Sequence, residues 1–106
     1  MIQVIVKKQK DDIIGFHIEG HSGYAGYGSD IICSAVSALT LNCVNSIEEF
    51  TEDSFSVEND AERGLLDFTL NSIPSGQSQL LLRSMLLGIQ GIEKSYGSQY
   101  VTIINR

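Results

Sequence analysis

Between residues 30 and 51, apolar side chains recur at helical spacing: Ile32, Val36, Leu39, Cys43, Ile47 and Phe50. At roughly 100° per residue, all six fall within about 60° of Ile32 on a helical wheel. The stripe predicts one long amphipathic helix, with Ser29 or Asp30 as its cap. Such a helix must cover its stripe with another apolar face. In a chain of 106 residues, that requirement narrows the fold more than any other feature.

The covering face is offered by short segments of alternating character. Ile2, Val4 and Val6 alternate with Gln3, Ile5 and Lys7, which is a strand pattern. Lys10-Asp11-Asp12 is a polar turn, and Ile14, Phe16 and Ile18 continue the alternation up to Gly20, completing a hairpin. Phe55 and Val57 make a short strand, residues from Asn59 to Gly64 supply a turn, and Leu66, Phe68 and Leu70 form the partner. Ser72 and Pro74 announce a second helix, with Leu82, Met85, Leu86, Ile89 and Tyr96 on its buried face and Gly97 as its stop. Val101 and Ile103 form a last strand. The order ββαββαβ predicts an α+β fold of two layers, a mixed or antiparallel sheet covered on one face by two helices. A single domain over residues 1–106 is expected. Ile5, Tyr100 and Ile104 fall on the opposite sheet face, where they are either a subunit contact or scattered exposed apolar residues.

Composition excludes some functions. The formal net charge of −6 argues against binding nucleic acid through its phosphates, which needs clustered Lys and Arg. The acidic residues Glu48, Glu49, Glu52, Asp53, Glu58, Asp60 and Glu62 form either a soluble face or an attraction for a basic partner. No apolar run is expected to reach the ~20 residues of a membrane span, and the opening Met-Ile-Gln-Val-Ile-Val-Lys-Lys does not resemble a signal peptide. A cytoplasmic location is therefore expected, with no membrane partner. Cys33 and Cys43 on one helix stand about 15 Å apart, too far for a disulfide; free thiols suit a reducing compartment.

Chemistry concentrates between Gly20 and Cys33. This stretch sets His21 and Cys33 at the two ends of a glycine-rich loop, with the cysteine where the loop turns into the helix. A thiol in a first helical turn feels the positive end of the helix dipole, which favours the nucleophilic thiolate. A nearby imidazole can take its proton. Cys43 lies in the centre of the apolar stripe and reads as a small core hydrophobe. Cys33 lies about 100° from Ile32, at the border, beside Asp30 at about 160° and Ser37 at about 140°. Asp30 either caps the helix or orients His21; Ser37 either supports the thiolate or bonds back to the backbone.

The remaining signals are weaker. His17 alternates outward and reads as a solvated surface residue. The spacing of His17, His21, Cys33 and Cys43 matches no zinc finger, so no metal is expected. Glycines 20, 23, 26 and 28 form neither a Walker-type loop nor a dinucleotide fingerprint, and no cofactor is expected. Their better reading is flexibility: residues 22–28 act as a lid, with Tyr24 and Tyr27 gripping a peptide.

Gly20-His21, the glycine-rich loop, and Gly28-x-Asp30-Ile31-Ile32-Cys33-Ser34-Ala35-Val36-Ser37-Ala38-Leu39 together resemble the signature of the bacterial ribosomal-processing cysteine proteases, the Prp (YsxB-like) family. Length and element order are similar over essentially the whole chain. The resemblance implies a cytosolic homodimer and an endopeptidase that removes the N-terminal extension of a large-subunit ribosomal protein, L-twenty-seven, after a pair of aromatic residues. Cys33 is then the nucleophile and His21 the general base, with Asp30 and Ser37 in supporting positions. Gly20, Ser22, Gly23, Tyr24, Tyr27 and Gly28 are the expected substrate-binding residues; Ser22 departs from the alanine of the family pattern. The rival reading is a non-catalytic ribosome-associated module that binds through its acidic surface.

Overall fold

The computed structural model describes residues 1–23 and 27–105, and of residues 27–30 the backbone alone. Two hairpins, two helices and a final strand follow in the order β1 (Ile2–Gln9), β2 (Asp12–Glu19), α1 (Tyr27–Phe50), β3 (Phe55–Asp60), β4 (Leu65–Leu70), α2 (Gly76–Tyr96) and β5 (Val101–Asn105). The strands form one sheet in the order β3-β4-β2-β1-β5. β1 runs parallel to β5, while β1–β2, β2–β4 and β3–β4 are antiparallel. The sheet is mixed and the fold has two layers, as the ββαββαβ order predicts.

One sheet face is apolar and carries both helices. Val4, Val6, Phe16, Phe68 and Val101 are fully buried there, against Ile32 and Ile47 of α1 and Leu82 and Ile89 of α2. Phe16 and Phe68 pair across β2 and β4 with their rings stacked 5.3 Å apart, and Phe55 tilts onto Phe68 at 5.0 Å. Gly15 makes that strand pair possible, because a Cβ there would lie 2.1 Å from the Phe68 carbonyl oxygen.

Several expectations are corrected. The β1–β2 register slips between Lys7 and Lys8, whose partners are Gly15 and Ile13, so Ile14 is the extra residue of a bulge. The bulge resets the alternation, and Ile13 rather than Ile14 enters the core. Phe50 and Tyr96 are exposed, at 70% and 43%. Each is the last residue of its helix. Ile47 and Ile89, one and two turns earlier on the same stripes, are fully buried, so each helix end runs past the apolar face that covers them. Periodicity assigns a direction around the helix but not a covering partner along it. Thr40 and Val44 are buried instead, and the Thr40 hydroxyl donates within the helix to the Val36 carbonyl at 2.9 Å. Tyr100 packs against the core rather than on the opposite face. By length and composition α1 over Ile31–Phe50 is apolar enough to cross a bilayer, contrary to expectation; here Ile32, Val36, Cys43 and Ile47 are buried in the core.

α2 starts one residue beyond Pro74–Ser75. Ser75 is the N-cap, accepting from the Ser78 backbone N–H at 3.1 Å. Asp53 reaches across and accepts from the Ser75 N–H at 3.0 Å and from the Ser75 hydroxyl at 2.7 Å. The Ser78 hydroxyl also donates to Asp53, and these bonds hold the Asp53 carboxyl below its ordinary value. Gly97 ends the helix, its N–H returning to the Glu93 carbonyl at 2.8 Å.

The opposite sheet face is polar and networked. His17 points outward, yet it is not simply solvated: Nδ1 meets Asp67 at 2.7 Å and Nε2 meets Glu19 at 3.0 Å. Lys7 donates to Asp67 at 2.8 Å, and Arg63 to Glu19 at 2.8 Å. The Asp67 bond, helped by Glu19, raises the His17 pKa above 6.5 against a smaller opposing effect of burial. Burial pushes the Asp67 carboxyl up, but Lys7 and His17 together outweigh it and leave the net shift downward.

Phe68→Ala should cost on the order of 3–5 kcal/mol in urea unfolding, while Phe50→Ala should stay within about 0.5 kcal/mol; comparable losses would contradict the overhang. A raised His17 pKa favours folding most below about pH 6.5, and that contribution fades as pH rises through the higher folded value. The stability gap between the natural chain and His17→Gln should therefore shrink from about pH 5 to about pH 8. A gap that widened with pH would refute this sign.

Candidate active site

β2 pairs with β4, and this brings the end of β2 beside the turn that precedes β4. Ile18 faces Leu66 across the ladder, and past the strand end the Gly20 N–H donates to the Arg63 carbonyl at 3.2 Å. Gly20 has φ +107°, and a Cβ there would stand 2.4 Å from the Met1 carbonyl oxygen. This corner directs His21 out of the sheet, exposed, with its Nε2 3.0 Å from the Glu62 carbonyl oxygen. A carbonyl only accepts, so Nε2 carries the proton and Nδ1 is the basic nitrogen of the neutral ring.

Cys33 approaches from the helix. It is half-buried at the edge of the core and shares with His21 a cleft of about 340 Å³. Gly20, Ser37, Thr40 and Leu41 also line this cleft, together with Asn59 and Asp60 at the end of β3 and Ala61 and Gly64 of the turn that follows. α1 begins at Tyr27, earlier than the apolar spacing indicates, so Cys33 sits in the second turn instead of the first. The periodicity marks where the core-facing stripe starts, and backbone helix can extend beyond it. Ser29 and Asp30 thereby fall inside the helix rather than ahead of it.

The other cysteine has a different environment. Cys43 is 3% exposed, its thiol lies 3.6 Å from the Leu81 carbonyl, and burial pushes its pKa up to about 12. One thiol faces a cleft and the other faces the core.

Three of the expected substrate-binding residues have described surroundings. Gly20 is on the cleft wall, Ser22 is buried at 1% exposure, and Gly23 is exposed with φ +71°. Tyr24 lies outside the described residues, as do the side chains of Tyr27 and Asp30; of the expected lid over residues 22–28, residues 24–26 lie outside them, and Tyr27 and Gly28 belong to the first turn of α1. Sequence reasoning missed the β3–β4 turn, reading it only as a connection and acidic surface. The available signal was Asp60 followed by Gly64, a pair suited to a side-chain-stabilised turn with a left-handed residue.

A nucleophilic side chain and an imidazole on one cleft, carried by a mixed α+β sheet, define a candidate thiol hydrolase. The chain belongs to the cysteine protease Prp family, whose sequence profile it matches over residues 1–102. It is similar to the ribosomal processing cysteine protease Prp of Staphylococcus aureus, with 30% identity over 79 residues that cover 74% of each chain. It is also similar to the protein of that name from Bacillus subtilis, with 27% identity over 101 residues covering 91% of this chain and 90% of the other. Among solved structures, it superposes with TM-score 0.90 at 25% identity, over the whole of both chains, on the S. aureus essential ribosomal processing protease Prp in complex with a covalently linked product peptide. A Streptococcus mutans protein matches with TM-score 0.86 at 31% identity, over 100% of this chain and 96% of that one.

The contrast between the thiols is measurable. Iodoacetamide near neutral pH should modify Cys33 well before Cys43, as read by mass spectrometry of tryptic peptides. Cys43→Ala should cost on the order of 1 kcal/mol of stability. Faster labelling of Cys43 would reverse the assignment of the two.

Proposed function

We propose that this protein is a cysteine endopeptidase that removes the N-terminal extension of the large-subunit ribosomal protein L-twenty-seven during ribosome maturation. The observation that carries the reading is Cys33 and His21 on one cleft in a chain of the cysteine protease Prp family. The relatives named as ribosomal processing proteases, and the product peptide covalently linked in the S. aureus complex, support a peptide substrate and a covalent step.

In this mechanism His21 Nδ1 takes the proton from the Cys33 thiol, and the sulfur attacks the scissile carbonyl carbon. Backbone N–H groups near the start of α1 are the natural donors to the resulting oxyanion. The C–N bond then breaks, and the imidazolium returns its proton to the leaving amine. A thioester remains on Cys33. Water, deprotonated by His21, attacks that thioester, releasing the carboxylate product and restoring the thiol. Ser37 and Asp30 take supporting roles, and Tyr24 and Tyr27 grip the peptide.

The protein works in the cytoplasm as a homodimer. Support for the dimer comes from Ile5 and Ile104, neighbours in the β1–β5 pair on the sheet face away from the helices. A net charge of −6 suits a basic ribosomal peptide.

Mass spectrometry of a Lys-containing N-terminal peptide with a Phe-Phe junction should show cleavage after the second Phe. Cys33→Ala and His21→Ala should each abolish it in folded protein, and Cys43→Ala should retain it. Replacing Phe-Phe by Ala-Ala should destroy cleavage, whereas added salt should only weaken binding by screening charge. Turnover by folded Cys33→Ala would disprove the thiol mechanism; equal turnover of both peptides would disprove the specificity.

A further inference from the structure

We propose that the β3–β4 turn, anchored by Asp60, is the device that holds His21 in register for proton transfer, which makes Asp60 a positioning residue. The inference rests on the assignment of Cys33 and His21 above. His21 stands exposed beyond the end of β2, so strand pairing does not fix its ring. Its Nε2–H donates to the Glu62 carbonyl at 3.0 Å. The direction of that carbonyl is the direction of the Glu62–Arg63 peptide plane, whose other polar group is the Arg63 N–H. Asp60 Oδ1 accepts from this Arg63 N–H at 3.5 Å and from the Glu62 N–H at 3.1 Å. A single carboxylate oxygen thereby restrains the peptide that receives the imidazole.

The turn is tied down on two further sides. The Gly64 N–H closes it on the Ala61 carbonyl at 3.2 Å, and the Arg63 carbonyl accepts from the Gly20 N–H at 3.2 Å. Gly64, at φ +60°, leaves no room for a side chain: a Cβ would lie 2.3 Å from the Gly20 carbonyl oxygen and 3.3 Å from His21 Cε1. The turn therefore touches the His21 ring on its edge and holds the backbone that precedes it. Displacing the turn by a fraction of an ångström displaces the base.

The test compares Asp60→Ala with Asp60→Asn, which keeps a side-chain oxygen for the same two N–H groups. The readouts are kcat and KM on the Phe-Phe peptide, the iodoacetamide alkylation rate of Cys33, and urea unfolding to establish that each variant is folded. Asp60→Ala should lower kcat and alkylation on the order of tenfold or more, with KM changed by no more than about twofold. Asp60→Asn should restore both rates to within about twofold of the natural chain. Full kcat and alkylation in Asp60→Ala would overturn the proposal. So would an Asn variant as impaired as the Ala variant with the loss in KM, since Asp60 would then be a charged contact for substrate. Cleavage by folded Cys33→Ala or His21→Ala would instead remove the underlying protease assignment. Inactivity of those two beside a fully active Asp60→Ala would remove the positioning role alone.

Discussion

The antiparallel pairing of β2 with β4 is the contact on which the rest of the molecule depends. Each hairpin is local, but only this pairing joins them into one sheet and gives the helices a continuous apolar face to cover. It needs an unusually close backbone approach, met by Gly15 beside the Phe68 carbonyl. It also places Phe16 against Phe68 at the centre of the core. At its far end the same ladder sets the corner at Gly20 against the turn before Leu65, and there His21 leaves the sheet. The site is thus built at the edge of the contact that makes the domain whole, so core packing and base placement share one origin.

The two cysteines and two histidines show how position in that frame assigns chemistry to identical side chains. Cys43 points into the layer between α1 and α2, where desolvation disfavours its thiolate. Cys33, ten residues earlier, faces the cleft. His17, on the polar sheet face, meets carboxylates at both ring nitrogens and behaves as part of an ion network. His21, four residues later and past the strand end, meets one backbone carbonyl, which orients the ring and leaves the other nitrogen basic. Burial and hydrogen-bond partners decide these roles, and each follows from which way the strand or helix turns the side chain.

Much of this was legible along the chain. The stripe from Ile32 to Ile47 identified α1 and put Cys43 in its buried centre, because helical spacing is a local property that 100° per residue converts directly into direction. The alternations marked the strands, Gly97 marked the end of α2, and the Gly20–Leu39 segment carried the resemblance to the Prp family. Element order and most of each element's apolar face were therefore determined by the sequence itself. Only the tertiary structure decided what lies over each position. Phe50 and Tyr96 obey the period but lie at helix ends past the covering apolar face; the bulge at Ile14 exchanges it for Ile13; and Tyr100 turns onto the core. The Glu62 carbonyl meets His21 across 41 residues of chain, and Asp60 reaches the cleft wall only because β4 lies next to β2. Local spacing records which way a residue points, whereas strand order, overhang and backbone hydrogen bonds between distant segments arise only when the whole sheet closes.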